Sequence, residues 1–109
     1  MNAADIVDEF IACWNRMDVP AAFAMMAEDA VWDNVPLGPA KGKEAMMALM
    51  ANFPPTQGTE FVVHHSAVNG NVVLNERTDR FLVGETWREI RVMGTFEINA
   101  EGKIQHWRD

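Results

Sequence analysis

VVLNERTDRFLV, residues 72–83, is a run of β-branched and apolar side chains interrupted by charged ones. The turn signal Asn69-Gly70 precedes it and Gly84 ends it, so the run predicts one long strand. Side chains of a strand alternate between its two faces. One face is therefore expected to carry a guanidinium beside a carboxylate, flanked by an amide and a phenyl ring: Arg77 and Asp79, with Asn75 and Phe81. An isolated pair of this kind is ordinarily a surface ion pair.

The rest of the sequence predicts helices first and strands later. Apolar residues at helical spacing, such as Ile6, Phe10 and Trp14, indicate the helices, and β-type segments follow from residue 59. This order is typical of an α+β fold. We expect one domain, residues 1–109, in which a curved antiparallel sheet forms a cone closed by the N-terminal helices. The expected helices are 2–17, 18–29 and 42–53; the expected strands are 30–34, 61–68, 72–83, 87–98 and 103–109, with a proline-rich loop after residue 34.

Composition and charge exclude several classes of function. The 109 residues are 49% hydrophobic, enough for one core, and their formal net charge is −7. An acidic chain without Lys/Arg clusters is not expected to bind nucleic acid, and no apolar segment is long enough to span a membrane. Cys13 is the one cysteine, so no internal disulfide forms, and the acidic first residues do not resemble a secretory signal. These features predict a soluble, cytoplasmic protein.

Three pairs of residues, each spaced by two positions, carry functional groups on predicted strands. A curved sheet closed by helices would direct such pairs into one cavity, where a small ligand can bind. Buried carboxylates persist only if they are paired or take part in chemistry. An arginine between two carboxylates stabilises one as the anion, while burial and like charge favour a proton on the other, which provides a base and an acid. The pairs are Trp32/Asn34, Arg77/Asp79 and Trp107/Asp109.

Three short motifs resemble the limonene-1,2-epoxide hydrolase family. They are WDNVPL at residues 32–37, ERTD at 76–79 and GKIQHWRD at 102–109. Each motif alone is weak, but the three in this order are fairly specific. The family belongs to the superfamily of nuclear transport factor 2 (NTF2), ketosteroid isomerase and SnoaL-like proteins, whose fold is a cone-shaped α+β structure. The resemblance therefore implies the same fold as the pattern of helices and strands.

The resemblance also implies roles for individual residues. Asp109 would be the general base, Asp79 the general acid that protonates the epoxide oxygen, and Arg77 the bridge between them, while Asn34 would hold the attacking water. The implied reaction is one-step addition of water to a small apolar epoxide, with no covalent intermediate, metal or cofactor. The family has a tyrosine where this chain has Trp32, whose indole donates a hydrogen bond but cannot accept one. The expected substrate-binding side chains are Trp32, Trp107, Phe81, Met25 and Met50.

Other functions of the same fold are alternatives. Ketosteroid isomerase chemistry needs a phenolic donor, and the chain contains no tyrosine. A polyketide-cyclase-like reaction needs only an aspartate, an arginine or histidine, and an apolar cavity. A small-molecule-binding domain without catalysis would keep Arg77, Asp79 and Asp109 as a satisfied ion network. A homodimer is the common state of the family, and the exposed sheet face around Trp87 and Arg91 is the expected interface.

Overall fold

The computed structural model describes residues 1–109 as three helices and six strands. Helices occupy the first half of the chain together with two strands, and the four remaining strands follow in sequence. In chain order the elements are α1 (Ala3–Asn15), α2 (Val19–Ala24), β1 (Met26–Asn34), β2 (Gly38–Lys41), α3 (Lys43–Met50), β3 (Gly58–Asn69), β4 (Val72–Val83), β5 (Thr86–Ile98) and β6 (Ile104–Arg108).

All six strands form one sheet in the order β2-β1-β6-β5-β4-β3. The strands β3 to β6 form the predicted antiparallel meander. The prediction of a wholly antiparallel sheet is wrong at one place, because β1 and β6 run parallel, with Trp32 beside Trp107 and Asp33 beside Arg108. The last strand of the meander, β6, lies at the centre of the sheet and runs in the same direction as β1. The sheet is therefore mixed, and its parallel pair joins the early and late parts of the chain.

The bounds of several elements also differ from the sequence prediction, most of all the end of the second helix and the start of the first strand. The second helix ends at Ala24 rather than at residue 29, because the backbone of Met25 and Met26 is already engaged with β6. The Ile104 N–H donates to the Met25 carbonyl at 2.9 Å, and this long-range pairing outweighs local helical preference. The predicted loop after residue 34 contains a short strand, β2, which folds back on the end of β1 as a hairpin.

The core lies between α1 and the concave face of the sheet. α1 starts with a capping box, in which the Asn2 side chain accepts from the Asp5 N–H at 2.8 Å. Its apolar stripe is buried against aromatic rings of the sheet, and the Phe10 ring meets Trp107 edge-on at 5.0 Å and Phe96 at 6.1 Å. None of the helices combines the length and the apolar character needed to cross a membrane.

Candidate active site

Arg77, on β4, is the centre of the candidate site, and its side chain is fully buried. Nε and Nη2 donate to the two oxygens of Asp79 at 2.9 and 3.0 Å, a fork that charge strengthens. Nη2 also donates to Oδ1 of Asp109 at 3.0 Å, and Nη1 donates to Oδ1 of Asn75 at 2.7 Å. The structure thus brings together two carboxylates that lie 30 residues apart in sequence, bridged by one guanidinium.

Aromatic rings on the neighbouring strands enclose this guanidinium. Its carbon lies 5.5 Å from the centre of the Phe61 ring and 5.7 Å from that of Phe96, within the range of cation–π attraction. Phe61 on β3 is the cross-strand partner of Asp79. Water is largely excluded from around the ion network, so its electrostatic interactions are stronger than on a protein surface.

Asp109 follows β6 and is fixed by the backbone of β1. Its N–H donates to the Asp33 carbonyl at 3.0 Å, and its carbonyl accepts from the Val35 N–H at 3.1 Å. In the side chain, Oδ1 accepts from Arg77 and, at 3.0 Å, from Nε1 of Trp107. Oδ2 of Asp109 has no hydrogen bond within the protein. One oxygen is therefore anchored and the other is available to take a proton.

The pKa of Asp109 is raised above its ordinary value of 3.8. Burial is the main cause and repulsion from Asp79 adds to it, while the charge and hydrogen bond of Arg77 and the hydrogen bond of Trp107 oppose them. Burial lowers the pKa of Arg77, but hydrogen bonding to Asp79 and the charge of Asp109 outweigh it, so this pKa is raised. Asp109 is consequently a stronger base than an exposed carboxylate, beside an arginine that stays charged.

Trp32 and Asn34 lie on β1, next to Asp109. The Trp32 ring stacks on Trp107 with the ring centres 5.1 Å apart. The Asn34 amide follows Asp33 and precedes Val35, the two residues whose backbones hold Asp109. Nε1 of Trp32 and Nδ2 of Asn34 are buried and have no partner in the protein. Nε1 of Trp14 on α1 is also buried and unpaired. Buried polar atoms are nearly always hydrogen-bonded, so the two unpaired donors on the strand that pairs with β6 fit a place where water or substrate binds.

The remaining predicted substrate-binding residues are divided between two places. Phe81 is half-buried on the face of Asp79 and meets Phe61 edge-on at 5.8 Å, and Met50 packs half-buried against the core. The structure does not bring Met25 to Arg77. Its sulfur lies 3.9 Å from the Cys13 thiol, and it lines a separate cleft of about 470 Å³ between Ile6 and residues 100–103. That cleft contains none of the charged residues of the site, so we do not regard it as the reaction chamber.

The histidines lie outside the site. Nε2 of His64 is hydrogen-bonded to Oγ1 of Thr78 at 2.8 Å, and the His106 ring lies 3.8 Å from the Glu97 carboxylate. No three His, Cys, Asp or Glu side chains are arranged as a cluster that could hold a metal ion.

Sequence reasoning misses the roles of Asn75 and of three β5 residues. Strand alternation places Asn75 on the correct face but gives it no function. Val92 and Ile90 are the cross-strand partners of Arg77 and Asp79, and Gly94 is that of Asn75. A glycine inside a strand often marks a close approach of another group, which is the signal that Gly94 carries. Val92 is half-buried and Ile90 exposed, so they extend the apolar wall beside Asp79 towards solvent.

We expect Gly94→Ala to disrupt the ion network. A Cβ there would overlap Nη1 of Arg77 and lie 2.9 Å from Oδ1 of Asp109 and 3.0 Å from Oδ1 of Asn75. Overpacking a buried position costs about 1–3 kcal/mol, and displacement of reacting groups should lower kcat roughly tenfold or more. Chemical denaturation and initial rates measure the two effects. Unchanged stability and rate in the Gly94→Ala variant would show that the ion network does not require a residue without a side chain at position 94.

Gly58→Ala is the matched control, because it places the same methyl group on another strand of the same sheet. Its Cβ would meet the tip of the Trp87 ring at 3.1 Å, and Trp87 is 41% exposed and packs on Arg80, outside the ion network. We therefore expect a small change in the free energy of unfolding and none in kcat.

Comparison with known proteins relates the whole chain to one family. Residues 1–109 match the family model of the limonene-1,2-epoxide hydrolase catalytic domain. The epoxide hydrolase EphG of Mycobacterium tuberculosis is 29% identical over 103 residues, covering 94% of this chain and 68% of that protein. A solved structure of a Mycobacterium tuberculosis LEH-like epoxide hydrolase has a TM-score of 0.84 and 29% identity, covering 98% of this chain and 80% of that chain.

A further solved structure bears on the fold. An NTF2-like protein of unknown function from Cytophaga hutchinsonii has a TM-score of 0.79 at 24% identity, covering 99% of this chain and 88% of that chain. The predicted α+β fold of the NTF2-like type is confirmed by this likeness and by the three helices packed on one sheet.

Proposed function

Because the chain belongs to the limonene-1,2-epoxide hydrolase family, we propose that Asp109 and Asp79 catalyse the addition of water to a small apolar epoxide in one step. At the level of the family, the chain is an enzyme that hydrolyses the ether bond of epoxides. The observation that carries the assignment of residues is the bridge from Arg77 to both buried carboxylates.

Asp109 acts as the general base. Its Oδ2 has no partner, whereas Oδ1 is held by Arg77 and Trp107, so the carboxylate is oriented with one oxygen ready for a proton. Burial raises the pKa of Asp109 and makes it a better proton acceptor, while the charge of Arg77 limits that rise. The attacking water lies between Asp109 and the Asn34 amide, beside the unpaired indole N–H of Trp32.

Asp79 acts as the general acid. Two carboxylates around one guanidinium carry an excess negative charge, and a single proton on the pair removes it. As Asp109 takes a proton from water, the water oxygen bonds to an epoxide carbon, the carbon–oxygen bond breaks, and the epoxide oxygen takes the proton of Asp79. Transfer of the proton from Asp109 back to Asp79 then restores the starting state.

Apolar side chains around the carboxylates define the substrate class. Trp32, Trp107, Phe81 and Met50 provide a wall with few groups able to hydrogen-bond a substrate. An epoxide oxygen is the one acceptor that the proposed acid needs to reach, so a compact hydrocarbon epoxide suits this site. A panel of small cyclic and aryl epoxides, assayed for diol above the uncatalysed rate, tests the substrate class. Tight binding of an apolar ligand without any turnover would instead favour a binding domain.

A single turnover in oxygen-18 water tests the one-step mechanism. With enzyme in excess over epoxide, direct attack of water places the label in the diol during the first turnover. Attack by a carboxylate would form an ester, deliver an unlabelled protein oxygen first and leave the label on Asp79 or Asp109. Mass spectrometry of the diol and of the peptides containing these residues distinguishes the routes, and a labelled carboxylate would refute direct attack.

We also propose that the protein forms a homodimer through the outer face of β3–β5. Leu74 and Met93 are 40% and 66% exposed there, and with Ala67 they line a shallow apolar cleft of about 160 Å³. A second copy would cover these side chains. Light scattering should give the mass of two chains, and Met93→Glu should give the mass of one. A monomeric wild-type protein would exclude this interface.

A cytoplasmic location, proposed from the lone, buried Cys13, agrees with these assignments.

A further inference from the structure

Asn75 is the one partner of Arg77 that the proposed reaction does not use. Its side chain is buried, with 2% of the residue exposed, and its Oδ1 accepts from Nη1 of Arg77 at 2.7 Å. An uncharged amide supplies neither a proton nor a counter-charge. A buried amide that pairs with a charged arginine is expected where this hydrogen bond controls the orientation of the guanidinium.

Asn75 and Asp109 compete for the same end of Arg77. Their Oδ1 atoms lie 3.0 and 2.9 Å from the point where a Cβ of Gly94 would be, and Nη1 lies closer still to that point. In the structure Nη1 donates to Asn75, so Asp109 receives a single hydrogen bond from Arg77, through Nη2. By contrast, Asp79 receives two, one on each oxygen. The amide thus determines how the guanidinium divides its donors between the carboxylates.

We propose that Asn75 is a positioning residue, which holds Nη1 of Arg77 away from Asp109 and so keeps Oδ2 of Asp109 free to accept a proton from water. Without the amide, Nη1 turns to Asp109 and forms a second hydrogen bond to it. A carboxylate held by such a fork is a weaker base, and its second oxygen is occupied. This inference rests on the proposed role of Asp109 and adds a residue that acts through Arg77.

Asn75→Leu tests the inference, because leucine has a similar size and cannot accept a hydrogen bond. We expect kcat to fall about tenfold, less than for loss of the base itself, with KM nearly unchanged. The acid limb of the kcat profile, where Asp109 becomes protonated, should move to lower pH by roughly one unit, because the second bond to Arg77 stabilises the carboxylate anion. Asn75→Ser, whose hydroxyl is too short to reach Nη1, should move the limb in the same direction and covers the case in which the leucine variant does not fold.

Asn75→Asp is the matched opposite variant. It keeps an acceptor oxygen for Nη1 and adds a negative charge, so the acid limb should move to higher pH. The charged groups that act on Asp109 are Arg77 and Asp79 on β4. From β1 the contact is the backbone carbonyl of Asp33, and the neighbours on β5 and β6, Gly94 and the indole of Trp107, are uncharged. A purely structural role of Asn75 would lower the melting temperature of the leucine and serine variants without moving the limb downwards.

Carbon-13 NMR of the Asp109 carboxyl group provides a measurement that needs no substrate. Its titration midpoint should fall in Asn75→Leu and Asn75→Ser and rise in Asn75→Asp. An unchanged midpoint in folded leucine or serine variants would refute the inference, whatever their activity. Absence of epoxide turnover by the wild-type protein would instead refute the proposed function, and the NMR titration would still decide whether Asn75 controls Arg77.

Discussion

Asp109→Asn and Asp79→Asn are each expected to lower kcat by about a hundredfold or more while the protein stays folded, because each removes one partner in proton transfer. Asparagine has the shape of aspartate and can still accept one hydrogen bond from Arg77. Either change also leaves one carboxylate for one guanidinium, so no uncompensated charge is buried. Near wild-type diol formation by either variant would refute the corresponding role.

The two variants should respond differently to added reagents. A small base such as formate should partly restore Asp109→Asn, whereas a small acid or a lower pH should help Asp79→Asn. Asp33→Asn is the matched control, because Asp33 lies on β1 beside the site but has no contact with Arg77. We expect its kcat to equal that of the wild-type protein. Equal rescue of both aspartate variants by formate would contradict the division into acid and base.

Arg77→Met is expected to lower the free energy of unfolding by about 3–5 kcal/mol and to abolish turnover, because it leaves two buried carboxylates without a counter-charge. Methionine fills much of the same space, so the decrease in the free energy of unfolding measures the effect of the missing charge rather than of a missing volume. Urea denaturation at neutral pH measures it. Arg80→Met is the matched control on the same strand: Arg80 pairs with the half-exposed Glu60 and Glu89, and its loss should cost less than about 1 kcal/mol.

The stability loss of Arg77→Met should shrink as the pH falls. Burial already raises the pKa of Asp109, and loss of the guanidinium removes the charge and hydrogen bond that oppose this rise, so Asp109 holds its proton more tightly in the folded than in the unfolded state. Between the unfolded and folded pKa values of Asp109 the folded protein then binds more protons, and its free energy of unfolding decreases as pH rises. Acidification therefore restores part of the lost stability. A loss that is the same at neutral and acidic pH would show that Arg77 contributes mainly by packing.

The face that carries Arg77 could be predicted from the sequence because strand alternation depends only on local geometry. Asn75, Arg77 and Asp79 are buried, and the residues between them are half-buried. The contact between Arg77 and Asp109 depends instead on strand order, with β5 lying between β4 and β6. The alternation of side chains along one strand does not predict the order of the strands in the sheet. Resemblance to a family suggested the contact, and the sheet of this chain contains it.

The errors have a common physical origin in long-range pairing. Met26 joins β1 because β6, almost 80 residues later, offers it a partner; local preference alone continues the helix. Gly94 becomes important only where a second strand brings Asn75 opposite it. The apolar side chain of Met25 led to the prediction that it binds substrate. The hydrogen bond between its carbonyl and the Ile104 N–H instead holds it near α1. Each of these outcomes depends on a partner distant in sequence.

The backbone hydrogen bonds between Asp109 and β1 also have a consequence for how such an enzyme can diversify. Asn34, the proposed water-binding residue, is the last residue of β1, and Asp109, the proposed base, follows β6 and is hydrogen-bonded through its main chain to Asp33 and Val35, the residues on either side of Asn34. Met50, a proposed substrate-binding residue, comes from α3, an eight-residue helix that supplies one fully buried side chain, Met46. If these roles are correct, selection can remodel α3 for a larger or differently shaped epoxide while the main-chain hydrogen bonds that hold Asp109 are inherited unchanged. Variation among related enzymes should accordingly concentrate in α3 and the segment that follows it.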